Sequence, residues 1–494
     1  MNATGRITKS LPRALQDIVY GRPTNAHLLE TFCRVATLDE CQAVLLLRAG
    51  LLDANDAKTL LKAIETEKAE NFRNVMRRER PRGMYLGWED WLTSATKDGL
   101  HGALHLGRSR NDMNATLQRL ELRAAALELG SVEMRMLQSL LSRAKKETHV
   151  LLPAFTHYQP AVPVLASQLW LAWATALERD ARLLLDAIED LDVLPLGAAA
   201  VAGTRIQLDL DFAVRLLGFS SVCVNSIDSV ASRTFLLKLL AACSILGVDL
   251  SRFATDILTL ATREIPIITL PERFLGSSSH MPQKANPFLL ELVQARAMSA
   301  LQALVGAAVK MHATPYTNSF AVSSEARWGA SDGLDQTLDS LKVLECVALS
   351  CVVDETAARR LCERGFTTAT AIAEEITVQT GMPFRESHRL VGSLVRRTVM
   401  NPEQFPQLVS ELALSHGVEL NQGALTPSIV ASTCNSAGGT GTLSVRKQIT
   451  FLEARLSTLT SSLNSKRIQY ASAERLLHKE VMHCINAQRD TTHH

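Results

Sequence analysis

From Met113 onward, apolar residues return every three or four positions: Leu117, Leu120, Leu122, Ala125, Leu127, Leu129, Val132, Met136, Leu137, Leu140 and Leu141, through about Lys146. A strand would alternate at every second residue, so this spacing predicts a helix. The same reading predicts helices over about Val164 to Leu191, Val230 to Arg263, Phe288 to Met311 and Ser331 to Val353. Proline placement agrees. None falls between Pro81 and Pro153, Pro163 and Pro195, Pro195 and Pro266, Pro287 and Pro315, or Pro315 and Pro383, and an interior proline costs a helix about 3 kcal/mol. Several of these helices reach roughly 40 Å at about 1.5 Å per residue, with more apolar surface than one neighbour covers. The expectation is an all-α, three-domain subunit whose long central five-helix bundle is shared between subunits. Shorter helical segments precede it over 1–104, broken at Arg22-Pro23 and at Arg80-Pro81-Arg82-Gly83. The bundle occupies 105–355. A C-terminal helical domain follows over 356–494, with short helices from Glu355 to Ser472 separated at Gly381-Met382-Pro383, Asn401-Pro402 and Gly438-Gly439.

Composition narrows the function. The 494 residues are 47% hydrophobic, which excludes disorder, and 52 Lys+Arg against 50 Asp+Glu leave a net charge of +2. With no run of five like charges there is no footprint for nucleic acid, so the partner is a small molecule or another copy. The most apolar stretches, Ala161 to Leu177 and Leu341 to Val353, are interrupted or short of the roughly 20 residues a membrane span needs. No membrane span is read. Met1 to Pro12 lacks a signal-peptide core, so a cytoplasmic location is the default, with an organellar transit segment as the alternative. The nine scattered cysteines, without C-x-x-C spacing, read as reduced core residues. The closing Thr491-Thr492-His493-His494 reads as a tail or tag rather than a metal site.

Three polar segments interrupt the helical pattern. His105 to Asp112 (His-Leu-Gly-Arg-Ser-Arg-Asn-Asp) places two cations and several donors where a long helix begins, a place suited to a carboxylate; an N-cap with solvated arginines is the plainer reading. Thr156-His157-Tyr158-Gln159-Pro160 stands before an apolar helix, where a histidine is usually a helix-start contact. Gly276 to Pro287 carries Ser277, Ser278 and Ser279, then Lys284 and Asn286, with Glu291 beyond. Two prolines make that loop's exit rigid, which fits a disordered linker poorly. Together they suit a lyase that removes a proton beside a carboxylate. Cations and donors such as Lys284, Asn286 and the Ser109/Asn111 loop would stabilise the extra charge, a serine with a depressed pKa would be the base, and an oriented histidine the acid.

On these residues the chain resembles argininosuccinate lyase, within the aspartase/fumarase superfamily. Met281-Pro282-Gln283-Lys284-Ala285-Asn286-Pro287 matches the superfamily signature, and Gly107-Arg108-Ser109-Arg110-Asn111-Asp112 is the more specific argininosuccinate lyase segment. Thr156-His157-x-Gln159, Leu194 to Gly197 with Ala202-Gly203-Thr204, and Asn225-Ser226-x-Asp228 with Arg233 extend the likeness, as do Pro383-Phe384-Arg385-x-x-His388 and Gly438-Gly439-Thr440. The resemblance implies a homotetramer with each active site built from three subunits. It implies β-elimination of fumarate from an N-substituted aspartate, the small-molecule substrate, without metal or organic cofactor. Ser278 would be the base, His157 the acid oriented by Glu291, and Lys284 with Asn286 would hold the carboxylate. Ser109, Arg110, Asn111, Thr156, Gln159 and Tyr316 would contact substrate.

The chain also departs from that pattern. Ser277 replaces a glycine and Ala285 a lysine. An arginine is lost at Leu210, for which Arg205 is a nearby substitute, and the family's His-Thr-x-x-Glu becomes Leu86-Gly87-Trp88 with Glu89 and Asp90. Beyond Tyr316, the family glutamine and lysine that recognise the arginine portion are Ala321 and Ser324. Three readings follow: a lyase with an altered leaving amine, a divergent argininosuccinate lyase in which Arg205, Arg327 or N-terminal residues compensate, and a catalytically silent homologue.

Overall fold

In a computed structural model of the chain, residues 9–21, 23–96, 99–418 and 422–487 are described; the first eight residues, Arg22 and the Thr491 to His494 tail lie outside them. The first helical layer holds α1 (Asn25–Arg48), α2 (Ala54–Ala69) and α3 (Met84–Ala95). Thr24 and Asp53 cap the first two with side-chain oxygens that accept orphan backbone N–H groups. Phe32, Phe72, Trp88 and Trp91 fill the core of this layer.

The bundle follows as α4 (Arg110–Lys146), the strands β1 (Leu151–Thr156) and β2 (Gln159–Leu165), α5 (Ala166–Leu191) and α6 (Thr234–Leu260). A small ribbon, β3 (Gly276–Ser277) with β4 (Ala285–Asn286), leads into α7 (Phe288–Arg296), α8 (Ser299–Met311) and α9 (Ala330–Ser350). All five expected helices are present, with two differences. Residues 151–165 form an antiparallel hairpin, so the second helix starts at Ala166 rather than Val164. The fourth is broken at Ala297-Met298, where the Ala297 carbonyl lies so close to Gly247 that a Cβ there would sit 2.0 Å from it. α6 and the 288–311 stretch are long and apolar enough to cross a membrane; here α6 packs against α5, α7, α8 and α9.

Side-chain ties fix the directions. Arg327 pairs with Glu121 at 3.2 Å and Arg135 with Glu345 at 3.3 Å, while Arg143 donates to the Ala348 and Cys351 carbonyls, so α4 and α9 run parallel. Lys238 pairs with Asp190 and Trp173 donates to Asp256, so α5 and α6 are antiparallel. One end of the bundle therefore collects the start of α4 and the loops of residues 192–233 and 312–329. The other collects the hairpin, the 261–287 loop and the exit of α9, where Ile268 pairs with Val353.

Short helices α10 (Glu355–Arg364), α11 (Ala369–Thr380), α12 (Phe384–Thr398) and α13 (Phe405–Ser415) come next, and Ile372, Ile376, Val391, Leu394 and Phe405 form a separate small core. The expectation of short helices as far as Ser472 is corrected by α14 (Thr442–Asn486), a 45-residue helix. Its Ile449, Leu452, Leu456, Leu459 and Leu463 join the bundle core, and Leu477, Val481 and Cys484 join the first layer. All nine cysteines are free. Six are buried or half-buried, but Cys33, Cys346 and Cys434 are exposed and so are not core residues.

Candidate active site

At the Asn111 end, Ser109 is the N-cap of α4. Its Oγ accepts the Asn111 N–H at 3.3 Å, and Asp112 closes a capping box by accepting the Ser109 N–H at 2.9 Å. The second oxygen of Asp112 accepts the Ala199 N–H at 2.8 Å, which ties the 192–233 loop to the helix start. Burial pushes the Asp112 carboxyl up to about 6, against those backbone donors and Arg108, which pull it down. Arg108 itself is buried and paired with Asp39. The Asn111 amide donates to the Ala200 carbonyl at 3.0 Å and accepts from the Asn318 amide at 2.9 Å. Tyr316 is exposed and donates its hydroxyl to Asp228, which holds the phenol above its ordinary pKa. Gln118 donates to the Ser323 carbonyl at 2.7 Å, one turn before the Glu121 that holds Arg327. Ser109, Asn111 and Tyr316 are thus gathered by one network, with Arg110 exposed at its rim. Asn318 was not marked by any spacing in the sequence.

Under this network, Arg119 and Arg233 are almost wholly buried beside the Phe235 ring, at 4.0 and 5.9 Å from its centroid. Their hydrogen bonds go to the Asp190, Val230 and Ser232 carbonyls, and desolvation lowers both to about 10.

At the other end, His157 sits at the tip of the β1–β2 hairpin. Thr156 lies opposite Gln159, so His157 and Tyr158 form a two-residue turn, with φ of 51° and 61°. Such turns favour Asn-Gly because both positions are left-handed, and each non-glycine residue there costs roughly 1 kcal/mol or more. The expected helix-start contact is therefore a strained turn that exposes the imidazole.

In the serine-rich loop, Gly276 pairs with Asn286 and Ser277 with Ala285, which closes residues 278–284 into a loop. Ser278 Oγ accepts the Met281 N–H at 3.0 Å and the His280 N–H at 3.4 Å. Arg263 anchors the far side by donating to the Gln283 carbonyl at 3.0 Å. Lys284 and Glu291 are exposed and Asn286 is half-exposed.

The predicted residues thus form two groups. Ser109, Arg110, Asn111 and Tyr316 lie at one end of α4, whereas Thr156, His157, Gln159, Ser278, Lys284, Asn286 and Glu291 lie at the other. The 37 residues of α4 separate them by about 55 Å at about 1.5 Å per residue. A single chain does not bring the two groups together. Among the described residues no three His, Cys, Asp or Glu side chains are grouped to hold a metal ion.

The lyase family model matches residues 57–301, and the argininosuccinate lyase C-terminal model matches residues 366–424. The argininosuccinate lyase of Thermus thermophilus is 36% identical over 407 residues, covering 81% of this chain and 87% of that protein. That of Methanothrix thermoacetophila is 31% identical over 91% of this chain and 93% of its own length. A crystal structure of EDDS lyase in complex with formate shares the fold, with a TM-score of 0.84, 24% identity and 94% of each chain covered. A class II fumarase from Schistosoma mansoni shares it with a TM-score of 0.66 and 15% identity, covering 82% of this chain and 91% of that one. The fold, the two groups of polar residues and the identity shared along most of the chain converge on one assignment: the chain belongs to the argininosuccinate lyase family of fumarate lyases.

Proposed function

We propose that this fumarate-releasing carbon–nitrogen lyase acts on an N-substituted aspartate whose leaving amine is not arginine. The observation that carries this reading is the segment from Tyr316 to Arg327. It keeps Tyr316 and is tied to Asn111 through Asn318, which supports a retained succinyl-binding side. Ala321 and Ser324 stand where the family recognises the arginine portion, and Gln118 and Glu121 hold the segment by Ser323 and Arg327 instead. A buried polar group left without its partner costs about 1–3 kcal/mol, enough to change which amine is accepted.

The chemistry would run as a β-elimination. Ser278 takes the Cβ proton, and the electron pair passes into the adjacent carboxylate, held as its doubly charged form by Lys284 and Asn286. The Cα–N bond then breaks as His157, oriented by Glu291, supplies the proton side of the reaction. Two features support Ser278 as base: its Oγ already accepts two backbone N–H groups, and Lys284 lies in the same loop. Donors and a cation both stabilise an alkoxide over the alcohol. Ser109, Arg110, Asn111, Thr156, Gln159 and Tyr316 would hold the substrate. Because the two groups lie about 55 Å apart along α4, a complete site requires other copies, in keeping with a homotetramer whose sites each draw on three subunits. The exposed stripe Leu301, Val305 and Val309 on α8, spaced one turn apart, offers apolar surface for that assembly.

The test is fumarate appearance, by ultraviolet absorbance, from argininosuccinate, with Lys284→Ala as control. The expected result is no release above the control, while fumarate with a panel of amines yields an aspartate adduct. Strong release that disappears in Lys284→Ala would overturn the altered amine. It would favour a divergent argininosuccinate lyase, a reading supported by Arg327 and by Lys310, which donates to the Glu325 carbonyl beside Ser324. Failure with every amine would point to a silent homologue.

A further inference from the structure

The side chain of Asn111 is held from two sides. Its Nδ2 donates to the Ala200 carbonyl at 3.0 Å, and its Oδ1 accepts from Asn318 Nδ2 at 2.9 Å. A carbonyl accepts and never donates, so the Ala200 contact fixes which end of the amide is nitrogen. The Asn318 contact then stops the amide plane from turning about that single bond. One hydrogen of Nδ2 is left for a ligand, and the group it suits is an acceptor such as a carboxylate oxygen.

Both holders are themselves anchored. Ala199 has a left-handed φ of 50° and its N–H is accepted by Asp112 at 2.8 Å, while Ser226 Oγ donates to the Val201 carbonyl at 2.8 Å. The Ala200 carbonyl is therefore fixed from the residue before it and the residue after it. Asn318 stands between Tyr316, whose hydroxyl is on Asp228, and Ser319, whose Oγ accepts the Val322 N–H at 3.4 Å. The Oδ1 of Asn318 is buried and has no partner among the described residues. An unpartnered buried acceptor is unfavourable, and an apolar side chain would avoid it, so what this amide contributes is its bond to Asn111. Turning the Asn318 amide over would give no relief, since it would set oxygen against the Asn111 oxygen.

We propose that Asn318 is a positioning residue that acts through Asn111, holding its amide as a fixed donor to a substrate carboxylate. The inference rests on the reading of Asn111 as a substrate contact, and a double-mutant cycle separates the two. Calorimetric titration of the intact assembly with fumarate is the readout, for the native protein, Asn111→Ala, Asn318→Leu and the double variant. Asn111→Ala should weaken fumarate roughly tenfold; no binding by the native protein, or native affinity in this variant, would remove Asn111 as a contact and the proposal with it. Asn318→Leu keeps the side-chain size and removes an unpartnered acceptor, so it should fold with a native urea midpoint and weaken fumarate severalfold. The double variant should bind no more weakly than Asn111→Ala alone, because a residue that acts only through Asn111 has nothing left to position. Asn318→Ala repeats the cycle with a smaller side chain and should give the same coupling. With Asn111→Ala weakened, native affinity in both Asn318 variants would overturn the proposal alone, as would losses that add in the double variant, the mark of a general structural effect or a separate contact.

Discussion

The two ends of the bundle differ in how far their polar groups are satisfied within one chain. At the Asn111 end, Ser109, Asn111, Asp112, Asn318 and Gln118 bond to one another or to backbone across three segments, so that surface is largely tied together within one chain, with the Asn318 Oδ1 left buried and unpartnered. At the Ser278 end the serine is held by its own loop, and His157, Lys284 and Glu291 stand exposed, the histidine on a strained turn. The contrast fits the roles proposed for the two ends. A binding surface that recognises a fixed shape gains from preorganisation, whereas groups that move protons and close over a substrate must stay free until the site is assembled.

The sharpest break of this contrast is Ser278→Ala, which should lower turnover about a thousandfold while leaving the oligomer unchanged on size-exclusion chromatography; near-native activity would remove Ser278 as base. Damage at the other end should appear as lost stability. Asp112→Ala leaves the Ser109 and Ala199 N–H groups without acceptors and should cost about 2–4 kcal/mol in urea unfolding; an unchanged midpoint would mean the network does not hold that end together.

Between the ends, the shaft responds to pH. Burial raises the Asp180 carboxyl from 3.8 to about 7, so the folded chain holds that proton more tightly than the unfolded one. The resulting stability is complete below about pH 4 and is lost as pH rises to about 7. Asp180→Asn should therefore gain about 1–3 kcal/mol over the native protein on going from pH 5 to pH 8, and a pH-independent difference would contradict the assignment. The smallest effect belongs to the hairpin tip. Tyr158→Gly suits a φ of 61° and should raise stability by up to about 1 kcal/mol; a measured loss would show that the turn is not strained.

Much of this was legible in the sequence. The three- and four-residue spacing and the proline-free spans gave the bundle, because long helices bury a continuous stripe whatever their partners. The break at Ala297-Met298 was not legible, since what meets the Ala297 carbonyl there is Gly247 on another helix, a contact between residues distant in sequence. The hairpin was hidden because His157-Tyr158 carries no Asn-Gly signal, and its three prolines look like a helix preface. α14 is different: Ile449, Leu452, Leu456, Leu459 and Leu463 already have helical spacing, but the Gly438-Gly439 pair just before them reads as a break between short elements. The site residues came from three polar segments and the family resemblance. Their separation to opposite ends was implicit in the helix order, yet the Asn111–Asn318 tie required the folded chain.

The most direct measurement is complementation between the ends. Ser278→Ala and Asn111→Ala chains, each inactive alone, are produced together, purified as mixed assemblies and assayed for fumarate release from the adduct found in the amine screen. If sites are completed across copies, some sites in the mixture receive an intact group from each chain, and a substantial fraction of activity returns. Mixed assemblies as inactive as either parent would contradict the account.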